Sequence, residues 1–434
     1  MESTITQTKS FETHYRSIAR KITWTLFLAQ CFGSAGFLAV ATVSSIVGRN
    51  LTGSDSLATV PETIYQLAAS AAAIGWGYAM DRLGRRGGLT WGIGIGALGS
   101  FLVAQAIVQS SLTLLLIGLV CMGIARSALQ LARFAAAEVH PLNERGRAIS
   151  NVVIGGTAAT FIWAGLSRQL DVLRNIFDIN ELLLPYLISG LFFLLAAAIV
   201  FLFLRPDPRD LGRELVEREK SLRVDLHPHG PSRTLKEIFR QPAVLVAVIA
   251  MIFGQVVMVM VMVITPLHMR GHEHAFADIS FVISSHVFGM YAFSIVSGRL
   301  ADLSGRGIVI IIGATTLIAA CLIAPLSPDV MPLGVSLFLL GLGWNFCYVG
   351  GSSLLADQLS PDERSRTQGF NDLLIGLVSA VGSLGSGVVF ATVGFGMMGI
   401  VGAIAAGIPL VMTLWWEIIR PRPHALNVKP TGMD

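Results

Sequence analysis

About 20 consecutive apolar residues are what a helix needs to cross the hydrocarbon core of a bilayer. This chain holds twelve such runs, near residues 24–48, 60–80, 88–110, 112–138, 148–169, 182–204, 241–265, 277–301, 307–326, 332–358, 367–392 and 396–419. In lipid the backbone has no water to bond, so only helices or closed barrels can span. The runs lack the alternation of barrel strands, so the chain reads as an all-α integral membrane protein with 12 transmembrane helices. Composition agrees: 53% of the 434 residues are hydrophobic and 13% charged, where a soluble domain carries roughly a quarter charged. The first run is too long for a signal-peptide core and is expected to be retained. Cys31, Cys121, Cys321 and Cys347 all fall inside spans, which suits packing better than a disulfide framework.

Loop arginines and lysines set orientation. With the N-terminus in the cytoplasm, 25 of the 31 Lys and Arg lie in cytoplasmic segments, and only Arg49, Arg168, Arg174 and Arg270 face out. Arg126 and Arg133 fall within the fourth span. The net charge of +4 is thus a topology signal rather than a nucleic-acid-binding surface, and the expected location is the plasma membrane with both termini cytoplasmic. The charge- and proline-rich stretch 205–240 separates two sets of six spans. The expected organisation is a cytoplasmic segment 1–23, a bundle 24–204, a linker 205–240 with a short amphipathic helix around 209–223, a second bundle 241–420 and a tail 421–434.

Two motifs recur across the linker. "GYAMDRLGRR" at 77–86 and "GRLADLSGRG" at 298–307 place Gly77 and Asp81 221 residues ahead of Gly298 and Asp302. "AEVHPLNERGRA" and "ADQLSPDERSRT" place Glu138 and Asp357 219 residues apart, each seven residues before an Arg-x-Arg: Arg145 and Arg147, then Arg364 and Arg366. Two unrelated elements at nearly one interval indicate a duplicated six-helix unit, the parallel-repeat plan of some transporters.

The 77–86 stretch closely resembles the G-x-x-x-D-R-x-G-R-R signature between the second and third helices of the major facilitator superfamily, and 298–307 is similar to its degenerate second copy. The resemblance extends over about 24–420 and implies two pseudo-symmetric six-helix bundles, alternating access and a gate built from the signature. Carried onto this chain, the gate comprises Gly77, Asp81, Arg82, Gly84, Arg85, Arg86, Glu138 and Arg145, with Gly298, Asp302, Arg306, Asp357 and Arg364 in the second half. Asp81 is expected on the end of the eleventh span, Arg82 or Arg85 on Glu138, and Asp302 with Arg306 on Asp357, pairs that break as the bundles rock. The competing reading is that Arg85, Arg86, Arg145 and Arg147 only enforce orientation. The chain departs from drug/proton exporters of the family: its fifth span has Gly155, Gly156 and Gly165 but no proline, and glycine stands near Gly118 where an arginine early in the fourth helix is usual.

Arg126, Gln130 and Arg133 share one face of the fourth helix, and charges at this depth face a protein interior or a water-filled cavity. The internal offsets carry Arg126 to Asn345, with Tyr348 nearby, and Tyr65 to His286. These residues are the candidate substrate or coupling groups, with Asp372 as a partner for Arg133. His286 has the ordinary pKa of a proton carrier, although a histidine packed on a backbone carbonyl fits its position as well. An embedded cation pair suits an anionic or zwitterionic organic solute, and Glu62 is a further embedded acid. His268, His272 and His274 suggest a metal site or simply a polar loop. No phosphate-binding loop exists, which argues against direct ATP drive, and no cofactor or enzymatic motif is present. The expected function is a monomeric secondary transporter of a small solute, proton-coupled. A uniporter without ion coupling and a sensor or scaffold that has lost transport are the alternatives.

Overall fold

The computed structural model describes residues 2–141, 144–178, 180–214 and 233–419. Residues 215–232 of the linker and the tail 421–434 lie outside them. The helices in order are α1 (Glu2–Thr52), α2 (Val60–Gln109), α3 (Leu112–Glu138), α4 (Arg145–Val153), α5 (Gly155–Ser167), α6 (Leu170–Phe177), α7 (Leu184–Phe203), α8 (Leu235–Phe239), α9 (Pro242–Gly271), α10 (Phe276–Ala292), α11 (Ser294–Ser304), α12 (Arg306–Ile323), α13 (Val330–Asp357) and α14 (Pro361–Ile419). No strand occurs among the described residues.

Nine of these segments are long and apolar enough to cross a membrane, and the pair α10 and α11, bent by 41°, makes a tenth. α2 and α14 each consist of two helical arms, broken at Gly84 and at Gly394 respectively. Counting each arm as a span gives twelve, and the fold is an all-α membrane protein of two pseudo-symmetric six-helix bundles. α1 differs from expectation at its start: the helix begins well before residue 24 and runs unbroken into the first span. The expected linker helix is helical from 208 to 214, and its remainder lies outside the described residues.

Lipid tails are as apolar as leucine, so bundle helices associate through close packing of small residues and through polar bonds. Gly92 admits Ala128 of α3, and at the equivalent place Gly313 admits Cys347 of α13. The duplication seen in the loops therefore also holds in the cores. Buried polar bonds tie helices together as well: the Trp163 indole N–H donates to Thr42 Oγ1 at 3.1 Å, and Ser100 and Ser189 bond at 3.2 Å.

Candidate functional site

The two copies of the loop motif fold alike. Gly84 (φ 78°) and Gly305 (φ 97°) both take positive φ, the region where a side chain is disfavoured, and let the chain turn sharply between helices. One helical turn earlier, Asp81 Oδ1 accepts from Arg85 Nη1 at 2.7 Å, and Asp302 Oδ1 accepts from Arg306 Nη1 at 2.8 Å. Each arginine then reaches the far end of the neighbouring helix. Arg85 grips both oxygens of Glu138 at 2.6–3.1 Å, and Arg306 Nε donates to Asp357 at 3.1 Å.

Every one of these bonds stays within its own half, and in this structure Asp81 is held by Arg85 rather than on the end of the eleventh span. Its carboxylate is largely exposed and held by Arg85, while its backbone oxygen accepts from Arg209 at 2.9 Å. Tyr78, Leu83 and Phe370, at the ends of the second and eleventh spans, are exposed. Arg82 contributes a backbone oxygen to Arg209. Arg86 donates to Phe201 O at 2.8 and 2.9 Å and stacks on its ring. Arg145 donates to His140 O at 3.2 Å. Gly77 and Gly298 face open space, and the Arg364 side chain lies outside the described residues.

Residues on either side of the undescribed linker segment anchor the loops. Asp207 accepts from the Arg85 and Arg86 backbone N–H groups at 3.0 Å each, capping the first turn after Gly84. Arg233 binds Glu363 through its backbone and guanidinium at 2.7–2.9 Å. Glu363 also accepts from Ser360 N, and these bonds hold its carboxyl far below the usual carboxylate range, with the Arg233 guanidinium the largest cause.

On the side away from the linker the halves touch. Glu181, just ahead of α7, binds Arg270 at the end of α9 and also Arg174 at 3.1 Å. Nearby, Ser383 Oγ donates to Thr59 O at 3.4 Å, and a Cβ on Gly387 would meet Ser56 O at 2.6 Å. Phe161 of α5 meets Phe288 of α10 edge-on at 5.8 Å. Among the described residues the hydrogen bonds and ion pairs that join the halves lie at this end.

Between the two ends lies the polar stripe of α3. The Arg126 guanidinium stands over the Tyr65 ring at 5.2 Å, in the field of Glu62 and near Tyr291 of α10. Glu62 Oε1 accepts from Gln66 Nε2 at 2.6 Å. Two helical turns along, Arg133 lies within polar reach of Tyr348 on α13 and in the field of Asp372 on α14; its Nε is buried without a hydrogen-bond partner. Gln130, between the arginines, is exposed. Arg133 of the first half thus reaches a tyrosine of the second.

Two candidates point elsewhere. His286 is fully buried and its Nδ1 bonds Leu337 O at 3.0 Å, while Asn345 Nδ2 donates to Met290 O at 2.6 Å and Ser294 Oγ at 2.9 Å. Asn345 also accepts from Ser297, so it splints the bend between α10 and α11. In the histidine loop, His268 stacks on Phe395 at 4.0 Å, His272 bonds His268 O and His274 bonds Pro328 O. Residues that sequence reading missed are Glu181, Asp207, Gln255, Tyr291 and Trp344. Trp344 stacks on Tyr348 at 4.9 Å and its indole N–H donates to Gln255 Oε1 at 2.7 Å.

Comparison with known proteins places this geometry. The family model described as Major Facilitator Superfamily matches residues 26–275 and 258–432. The uncharacterized MFS-type transporter YddS of Bacillus subtilis is 31% identical over 393 residues, covering 90% of this chain and 89% of the relative. The riboflavin transporter RfnT of Brucella anthropi is 27% identical over 358 residues, 82% and 86% of the two chains. The crystal structure of nucleoside transporter NupG superposes with a TM-score of 0.63 at 14% identity, covering 92% of this chain and 98% of that one.

Proposed function

The chain belongs to the major facilitator superfamily, and from that premise we propose that it is a proton-coupled secondary transporter working by alternating access. It is a membrane transporter by family; the coupling and the cycle are the proposal. The observation that carries it is the central stripe. Arg126 and Arg133 of one half lie near Tyr291, Tyr348 and Asp372 of the other, so any rocking of the bundles, 24–204 against 241–420, changes the surroundings of the two guanidiniums. A static scaffold has no use for embedded arginines divided in this way, since each costs several kcal/mol at the bilayer centre.

In this reading the linker end is cytoplasmic, both termini are cytoplasmic, and the protein sits in the plasma membrane as a monomer with an inward-open cavity. The solute enters between α3 and the facing helices of the second half. In this reading Asp372 and Glu62, each in the field of one arginine, are the carboxylates that exchange a proton against it. His286, clamped on Leu337 O, serves helix packing. The riboflavin relative brings a flavin-like solute forward as a candidate. The test is flux of riboflavin, uridine and a panel of organic acids into proteoliposomes with and without an imposed pH gradient. Gradient-driven accumulation supports the reading; gradient-independent flux makes the protein a uniporter, and no flux of any solute favours a scaffold.

A further inference from the structure

The wall facing the arginines is aromatic. Tyr291, Trp344 and Tyr348 form a chain of rings, with Tyr291 edge-on to Trp344 at 6.4 Å and Trp344 nearly parallel to Tyr348, at 15° and 4.9 Å. Arg126 lies near the first of these residues and Arg133 within polar reach of the last, and Gln130 stands between the two arginines on α3. One face of the cavity offers hydrogen-bond donors and the other offers π surface.

The indole is held on purpose. Gln255 is the one amide in the apolar stretch 242–264, it is 5% exposed, and a buried amide is costly unless bonded. Its oxygen accepts the Trp344 N–H at 2.7 Å, which fixes the plane of the ring. Plain core filling has no need of such a bond, since a phenylalanine or leucine would occupy the space without a polar atom to satisfy. On the other wall, guanidinium groups donate and never accept, and Glu62 and Asp372 offset the two positive charges. A solute bridging the walls must therefore be flat and carry acceptors on its rim, with no requirement for net charge.

We propose that Trp344 and Tyr348 are a stacking platform for a planar heteroaromatic solute whose rim carbonyl oxygens and ring nitrogens are read by Arg126, Gln130 and Arg133. This deepens the transport reading and rests on it. The platform is tested by binding in detergent, using riboflavin, lumichrome as the bare ring system and ribitol as the ring-free chain. Riboflavin and lumichrome bind the purified protein and ribitol does not. Trp344→Leu keeps apolar volume and removes the π surface, weakening lumichrome binding about ten- to a hundredfold, the range for loss of one aromatic stacking partner. Trp344→Phe restores most of it, and Gln255→Leu, which frees the indole, gives a smaller loss. Ribitol binding as well as lumichrome, neither ring compound binding, or Trp344→Leu binding lumichrome like the parent each overturn the platform. Binding without flux would instead sink the transport reading and leave the platform standing.

Discussion

Replacing Gly84 with alanine separates two contributions that the duplicated fold supplies in different amounts. The residue adopts φ 78° and ψ 167°, a region essentially reserved for glycine, where a side chain costs about 1–3 kcal/mol. An alanine Cβ would also stand 2.4 Å from Asp207 Oδ2, the oxygen that accepts the Arg86 N–H. Displacing it forfeits a hydrogen bond to a charged group, worth about 1.5–3 kcal/mol. The total is on the order of 2.5–6 kcal/mol. Gly305→Ala is the internal control: its φ is 97°, yet a Cβ there meets nothing, so only the backbone cost applies. Thermal unfolding of both variants in detergent should rank the parent first, Gly305→Ala second and Gly84→Ala last, with Asp207→Asn recovering none of the last step. Equal shifts for the two alanine variants would refute the cap.

Asp81→Asn should barely alter stability, because exposed i,i+4 pairs contribute about 0.3–0.5 kcal/mol, while flux falls severely if Asp81 binds across the halves in the other state of the cycle; normal flux would remove it from the gate. Glu181→Gln leaves Arg270 and Arg174 without their shared carboxylate, and since partly exposed pairs are worth up to about 1 kcal/mol, labelling of Ser383→Cys by an impermeant thiol reagent should rise up to about fivefold; unchanged labelling would contradict the outer clasp. Glu363 has a lowered folded pKa, so its stabilisation is complete above the unfolded value of about 4.3 and is lost progressively as pH falls below it. The difference in melting midpoint between the parent and Glu363→Gln should accordingly shrink on going from about pH 6 to about pH 3, and a difference that grows would reverse the assignment.

What could be read from the sequence follows from where the physics is local. Apolar length marks a span whatever it packs against, and a turn that ends one helix and starts another needs glycine and charges, so Gly84 with Gly305 and Arg85 with Arg306 stand out at one offset. An offset reports depth in the membrane and not direction. Tyr65 and His286 occupy matching positions, with Gly123 pressed on the Tyr65 carbonyl and Gly341 on that of His286, yet one side chain meets an arginine and the other a backbone carbonyl. Asn345 was hidden in the same way, because the bend it splints is invisible in a hydropathy pattern. Trp344 and Tyr291 carry no charge and sit in apolar runs; the available clue was Gln255, a lone amide that had to be bonded to something. Glu181 and Arg270 lie on separate loops, and their meeting depends on which end of the molecule is closed, a property of one state in a cycle.

The central claim is that closure of the end bearing Glu181 alternates with closure of the linker end, and cysteines at 181 and 270 joined by a short reducible crosslinker test it directly. Locking that pair should stop flux in proteoliposomes, and cutting the link with reductant should restore it. Full flux through crosslinked protein would show that the two halves need not part there, and the rocking account would be wrong.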